Sequence, residues 1–207
     1  MKSNHKSEGK KLTKSVGLGV LALGSLGILT AYYIAGCQSQ PPVKQMTQAE
    51  IVERGSYLVT SGHCNDCHTP WIMGAKGPEP DMSRLLSGHP QDLKMPTINL
   101  PQEPWQVVVS ATLTAWHGPW GTSFTANLTP DTMTGLGSWT AEMFIQAMRI
   151  GKHMGQPGSW DIKPPMPWYN LAKMTDEDLK AIFAYLQSIP AIRNKVPDHI
   201  PPAAVQK

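Results

Sequence analysis

The pentapeptide Cys64-Asn65-Asp66-Cys67-His68 carries the most distinctive chemistry in this chain of 207 residues. Its spacing, C-x-x-C-H, is the pattern of covalent haem attachment of the c type. Two thiols three positions apart can form thioether bonds to the two vinyl groups of one porphyrin, and the adjoining imidazole can then bind the iron. The motif occurs once. The sequence therefore predicts one covalently bound haem c on Cys64 and Cys67, with His68 as an axial iron ligand.

Three other kinds of site use the same residue types. A structural zinc site takes four Cys or His ligands, often as two spaced pairs, but Cys37 is the only further cysteine. A thioredoxin-like redox pair would lie beside a strand-helix-strand pattern, whereas a loop rich in Pro and Gly follows this motif. A plain disulfide between Cys64 and Cys67 would leave His68 unexplained. Haem attachment is the favoured interpretation.

The second axial position decides what such an iron can do. A methionine opposite the histidine favours Fe(II) and raises the potential. Met166 lies in Pro164-Pro165-Met166-Pro167, where fixed φ angles and missing amide donors exclude a helix or a central strand. This stretch predicts a stiff loop that presents one sulfur atom, so Met166 is the predicted second ligand. Met154 is the runner-up, and His153 would give a bis-histidine haem instead.

An uncharged segment near the N-terminus predicts export. Val16–Gly36 has no charge over 21 residues and follows several lysines, and this length is enough to span a bilayer. Its end, Ile34-Ala35-Gly36-Cys37, resembles the lipobox of bacterial lipoprotein signals, which implies cleavage before Cys37 and lipidation of its sulfur. An uncleaved membrane anchor is the alternative. Both interpretations keep the lysines in the cytoplasm and place the rest of the chain on the periplasmic side.

The exported part differs in charge from the whole chain. The formal net charge is +3, but the first 36 residues contain five lysines and one glutamate. The remainder has 13 basic and 14 acidic residues, a net charge of −1, which predicts no nucleic-acid partner. The predicted organisation is a signal peptide or membrane anchor at 1–36, a tether at 37–46, one domain at 47–198 and a tail at 199–207.

Three capped helices are predicted in this domain. Each begins after a threonine, a residue type that caps orphan amide groups, and the first also has Glu50 in the capping-box position. The helix caps are Thr47, Thr140 and Thr175; the second helix ends at Gly151 and the third before Pro190. Between the first two helices, residues 71–126 are rich in Pro, Gly and Trp. They predict a long irregular insertion, with one short strand at 107–109.

The sequence also predicts environments for several aromatic and histidine side chains. Buried indole and phenol groups need hydrogen-bond partners, so Trp139, Trp168 and Tyr169 are candidates to line the haem or to bind a propionate; packing in the core is the alternative. Three further histidines are expected to be exposed or hydrogen-bonded rather than iron ligands. They are His89, His117 and His199.

The order of these features resembles the class I cytochrome c fold. The likeness rests on Gly55-Ser56-Tyr57-Leu58 before the haem motif, on Asn127–Asp131 with Thr134–Trp139, and on Pro165–Trp168 before the terminal helix. The last two stretches are similar to haem-binding segments in cytochrome subunits of membrane-bound alcohol and aldehyde dehydrogenases, which carry three haem motifs where this chain has one.

This resemblance implies a mainly α cytochrome c fold with the insertion added. It also supports Met166, since the ligand methionine of the family precedes the terminal helix by a similar distance. The ring nitrogen of His68 that does not bind iron should donate to a backbone carbonyl. Pro78 or Pro80 lies where the family supplies that carbonyl.

The sequence and the resemblance together predict an electron carrier, not an enzyme. The expected protein is a membrane-tethered monohaem c-type cytochrome whose partners are a dehydrogenase, an oxidase or another cytochrome. One alternative is an electron-accepting subunit of a dehydrogenase complex. Another is a peroxidase or gas sensor with an open iron site, which requires that Met166 is not a ligand. A third is a lipoprotein that scaffolds a respiratory complex through its Trp-rich insertion.

Overall fold

The computed structural model describes residues 45–98, 104 and 106–202, and the part from Met46 belongs to one compact unit. The helices of the described residues are α1 Gln48–Ser61, α2 Cys64–His68, α3 Ala141–Ile150, α4 Trp168–Leu171 and α5 Asp176–Ser188. The strands are β1 Trp71–Gly74, β2 Gly77–Pro80, β3 Val108–Val109, β4 Ala115–Gly118 and β5 Gly121–Phe124. Short 3₁₀ turns occupy Met82–Arg84 and His153–Gly155.

The predicted N-terminal features cannot be followed in this structure. The signal peptide or anchor, Cys37 and most of the tether lie outside the described residues. Within the described ranges, no helix combines the length and the apolar character needed to cross a bilayer. The membrane tether therefore stays a prediction from the sequence.

Local hydrogen bonds confirm the three predicted helix starts. The side chains of Thr47, Thr140 and Thr175 each accept the backbone N–H three residues further on. The Glu50 carboxylate accepts the Thr47 N–H at 2.8 Å, which completes the predicted capping box. Gly151 ends α3 with a positive φ of 65°, a conformation that favours glycine. These caps satisfy amide groups that the helices leave without internal partners.

The core forms where α1 packs against α5, with α3 beside it. At Gly55, an added Cβ atom would lie 1.9 Å from the carbonyl oxygen of Ala181, so the two helix backbones meet there without a side chain between them. An ion pair between Arg54 and Asp178 joins the same helices at the surface. The buried hydrophobic cluster consists of Val59, Leu86, Leu136, Phe144, Ile145, Ala147, Met148, Leu179, Ile182, Phe183 and Leu186.

Residues 71–126 are not purely irregular, because all five described strands lie there. Strands β1 and β2 form an antiparallel hairpin in which Trp71 faces Pro80. Strand β4 pairs with both β3 and β5, and β3 confirms the short strand predicted at 107–109. These strands have two to four residues, too few to show a clear alternation of polar and apolar positions. The fold thus combines helices with small antiparallel sheets.

The chain after α5 is fixed onto this insertion. The Asn194 amide donates to the carbonyl oxygens of Ser87 at 2.7 Å and His89 at 2.9 Å. Further along, Ile200 and Thr122 exchange two backbone hydrogen bonds of 2.8 and 3.0 Å. The C-terminal segment therefore extends the β4–β5 hairpin by one antiparallel contact.

We predict that Gly55→Ala strongly destabilises the folded protein. The new methyl group would overlap the Ala181 carbonyl, and overpacking of this kind costs about 1–3 kcal/mol. Denaturant unfolding of the haem-loaded protein measures the loss. Gly158→Ala is the matched control, because nothing lies within 4 Å of a Cβ at Gly158. Equal stability of both variants would contradict the proposed close contact between α1 and α5.

Candidate haem site

Helix α2 brings the three residues of the haem motif together. His63, with a positive φ of 57°, turns the chain from α1 into α2. Positions i, i+3 and i+4 of a helix share one side, so Cys64, Cys67 and His68 are neighbours on α2. Neither Cys64 nor Cys67 is in a disulfide bond, and both are partly buried. Cys64 also packs against the buried hydrophobic cluster.

His68 is buried and oriented for metal binding. Its Nδ1 atom lies 2.8 Å from the carbonyl oxygen of Ala126, which can only accept, so Nδ1 carries the proton. The other ring nitrogen, Nε2, is thereby left with its lone pair. Burial lowers the pKa of His68, although the hydrogen bond to Ala126 acts in the opposite direction. The ring is therefore kept neutral, as a metal ligand must be.

The prediction that Pro78 or Pro80 supplies this carbonyl is wrong. Both prolines lie in β2, where they face Met73 and Trp71 across the first hairpin. The chain returns to His68 only after the β1–β2 hairpin. There the N–H of Gly88 donates to the His68 carbonyl at 2.8 Å. The acceptor of the His68 ring is Ala126, at the other end of the insertion.

The electrostatics of the two thiols do not suit a thioredoxin-like redox pair. Reactive C-x-x-C cysteines need a lowered pKa, because the thiolate is the nucleophile. Here burial raises the pKa of Cys64 to about 11, and burial also raises that of Cys67. Within the described ranges, no group of three or more His, Cys, Asp or Glu side chains could hold a metal ion by itself. The set of thiols and neutral imidazole fits covalent haem attachment.

Met166 lies beside an apolar cavity of about 430 Å³. The Met166 loop, residues 163–168, leads into α4, and the side chain of Met166 is half-buried. Trp168 packs its ring over Gly151 at the end of α3, where an added Cβ would lie 2.4 Å from the indole. The cavity is lined by Trp120, Ile162, Pro164, Pro165, Met166, Trp168 and Tyr169.

The runner-up ligands lie in a different environment. The ring of His153 stacks on Trp160 with centroids 4.1 Å apart, and it contacts Trp139 edge to face at 5.1 Å. Neither His153 nor Met154 lines the cavity beside Met166. Trp139 therefore packs against the core and His153, whereas Trp168 and Tyr169 line the cavity. Of the other histidines, the fully buried His89 is hydrogen-bonded to Thr114 and Leu93.

Comparison with known proteins identifies the family. The family model described as Cytochrome c matches residues 52–190. The chain belongs to the cytochrome c family. Its cofactor is covalently bound haem c, and Cys64, Cys67 and His68 fit the attachment motif.

Three of the similar curated proteins are cytochrome subunits of dehydrogenases. The cytochrome c subunit of alcohol dehydrogenase (quinone) from Gluconobacter oxydans is 35% identical over 198 residues, covering 92% of this chain and 30% of that protein. The gluconate 2-dehydrogenase cytochrome c subunit of Pantoea cypripedii is 31% identical, covering 65% of this chain and 22% of the relative. The fructose dehydrogenase cytochrome subunit of Gluconobacter japonicus is 26% identical, covering 80% of this chain and 28% of the relative. This chain spans less than a third of each.

Sequence reasoning missed two contacts at the site. Ala126 acts through its backbone carbonyl, and a carbonyl acceptor has no residue-type signal. Ser123 reaches the Met166 loop by donating to the Pro164 carbonyl at 2.5 Å. A lone serine 41 residues before its partner gives no pattern either. Both contacts depend on the path of the β4–β5 hairpin.

We predict that Cys64→Ala combined with Cys67→Ala abolishes covalent haem attachment, because both thioether sulfurs are removed. A haem stain after denaturing electrophoresis measures this, since only covalently held haem remains with the chain. Cys37→Ala is the control and should keep the stain. A double variant that still stains would contradict the assignment of the haem to these two thiols.

Proposed function

We propose that this chain is a monohaem electron carrier that accepts single electrons from a dehydrogenase in the exported compartment. The observation that carries this proposal is the buried, neutral His68 beside Cys64 and Cys67 on one short helix, with a methionine-lined apolar cavity in the same domain. Haem c supplies reversible one-electron Fe(III)/Fe(II) chemistry when bound. The protein's residues hold it, orient its ligands and exclude water.

Each residue has a separate part in this function. Cys64 and Cys67 hold the haem covalently, and His68 offers Nε2 to the iron while the Ala126 carbonyl fixes the ring. Met166 would hold the iron from a second position, through a thioether that stabilises Fe(II). With His68 and Met166 both bound to the iron, no position would stay open for a substrate. This distinguishes a carrier from a peroxidase or a gas sensor.

A dehydrogenase is the favoured electron donor because of the relatives. Three similar proteins are named as cytochrome subunits of alcohol, gluconate and fructose dehydrogenases. Alignment with the alcohol dehydrogenase subunit covers 92% of this chain, so the likeness extends beyond the haem motif. The partner contact should be small and transient, as is usual for electron-transfer proteins.

We further propose a location on the periplasmic side of a bacterial membrane. The support is the uncharged Val16–Gly36 segment and the lipobox-like sequence that ends at Cys37. A lipid on Cys37 or an uncleaved helix would keep the domain near the surface, since the eight residues 38–45 extend at most roughly 28 Å. The Cys37→Ala control described above tests this point as well. Labelling with a fatty acid separates the two anchors: a lipid-anchored protein would take up the label through Cys37 and lose it in Cys37→Ala, whereas a helix-anchored protein would take up none.

We predict that Met166→Ala removes the weak far-red absorption band that methionine sulfur gives to ferric haem c. The reduced variant should also bind carbon monoxide rapidly, because the axial site becomes open. Visible spectra and rapid-mixing kinetics measure both effects. Met154→Ala is the matched control and should behave as wild type. If Met166→Ala keeps the band, Met166 is not the ligand.

We predict that membranes containing the cognate dehydrogenase reduce the ferric protein when its substrate is added. The design uses detergent-treated membranes of a strain that lacks this chain, supplied in turn with ethanol, gluconate or fructose. Reduction is followed in the visible spectrum of the added holoprotein. Membranes without substrate and the haem-free double-cysteine variant are controls. Reduction by another cytochrome alone, with none of the dehydrogenase substrates effective, would contradict a dehydrogenase donor.

A further inference from the structure

A hydrogen-bonded contact joins the insertion to the Met166 loop. The hydroxyl of Ser123, in β5, lies 2.5 Å from the carbonyl oxygen of Pro164 and 3.3 Å from that of Trp116. A hydroxyl has one hydrogen to donate, and the shorter distance assigns it to Pro164. The indole N–H of Trp120 donates to the same hydroxyl at 3.1 Å. Ser123 is only 7% exposed, so water competes little for these bonds.

The Met166 loop depends on such outside contacts more than an ordinary loop does. Its prolines, Pro164, Pro165 and Pro167, have no N–H groups to donate. The N–H of Met166 donates to the Lys163 carbonyl at 3.3 Å, which is long for such a bond. The carbonyl of Pro164, two residues before Met166, is the point at which Ser123 holds the loop. Trp120 lines the cavity beside Met166 from the same hairpin.

The strand that carries Ser123 is itself held firmly. Strand β5 pairs with β4 on one side, and Thr122 exchanges two backbone hydrogen bonds with Ile200 on the other. His199 Nε2 donates to the Trp120 carbonyl at 2.8 Å. At Gly121 an added Cβ would lie 2.1 Å from the Ile200 carbonyl oxygen. The C-terminal segment thus fixes the start of β5.

We propose that Ser123 is a positioning residue that determines how firmly Met166 stays on the iron. This inference rests on the proposed ligand role of Met166. The Ser123–Pro164 hydrogen bond restrains the loop in the ligated position, and Trp120 orients the serine hydroxyl. The β4–β5 hairpin thereby gains a function in the electron carrier: it resists replacement of the methionine by external ligands.

Imidazole is the probe, because it competes with methionine for ferric haem. In Ser123→Ala the hydrogen bond is lost, and one such bond corresponds to roughly a threefold to tenfold change in an equilibrium constant. The ferric holoprotein should therefore bind imidazole about three to ten times more tightly, and its far-red band should weaken. Ser123→Thr keeps the hydroxyl and should restore wild-type behaviour.

Ser110→Ala is the matched control for a general loss of stability. Ser110 also lies in the insertion, where its hydroxyl accepts the N–H groups of Thr114 and Ala115, but its hydrogen bonds do not reach the Met166 loop. It should leave the band and the imidazole affinity unchanged. Trp120→Phe provides a second test, because it removes the N–H donor to Ser123 and keeps an aromatic ring beside the cavity; it should tighten imidazole binding less than Ser123→Ala does.

The possible outcomes separate this inference from the ligand assignment. Wild-type affinity in Ser123→Ala, or an equal change in Ser110→Ala, overturns the positioning role while Met166 remains the ligand. If the wild-type protein lacks the far-red band and binds imidazole as tightly as Met166→Ala does, the ligand assignment is wrong. This inference is then overturned as well. Tighter binding in Ser123→Ala, with rescue by Ser123→Thr, supports the inference.

Discussion

The hydrogen bond from the His68 ring to the Ala126 carbonyl constrains most of the fold around it. A buried imidazole that binds iron must be neutral, and its free N–H must find an acceptor. That acceptor lies 58 residues further along the chain, so the whole insertion has to return to the haem motif. The N–H of Gly88 donates to the His68 carbonyl, and the N–H of His89 donates to the Thr125 carbonyl. Residues 88–89 therefore connect the haem motif with the end of the insertion. Gly88 has a positive φ of 77°, and an added Cβ would lie 2.4 Å from the Thr125 carbonyl oxygen.

The same stretch of chain contacts the ring of His68 and the loop that carries Met166. Residues 120–126 contain Ser123, which bonds the loop of Met166, and Ala126, which bonds the ring of His68. Ser123 and Ala126 are three positions apart, so a movement of β5 would affect the Met166 loop and the ring of His68 together. The insertion therefore has a structural reason to be ordered. The insertion also pairs with the segment that follows α5, through backbone hydrogen bonds between Thr122 and Ile200. This pairing further restrains the insertion.

The sequence was sufficient where function depends on side-chain type and short spacing. The haem motif, the capping threonines and Gly151 are local signals, and each predicts a local structure that is present. It was insufficient where function depends on backbone groups. Nothing distinguishes Ala126 as an acceptor, and the family resemblance pointed instead to Pro78 or Pro80. Strands β1, β2, β4 and β5 also escaped prediction, because their hairpins are built around tight turns at Gly77 and Gly121 and not on a repeated apolar pattern.

The location of these contacts in strands and loops has a physical basis. In a helix, each interior carbonyl accepts an N–H four residues further on, so it is already paired and helps little to orient another group. Strand edges and loops leave carbonyls available, and buried polar groups there must find partners. Ala126 and Pro164 both offer such carbonyls, one to the ring of His68 and one to the hydroxyl of Ser123. A domain of packed helices alone would supply the hydrophobic core but not these two acceptors, which lie in the segments between α2 and α3 and between α3 and α4.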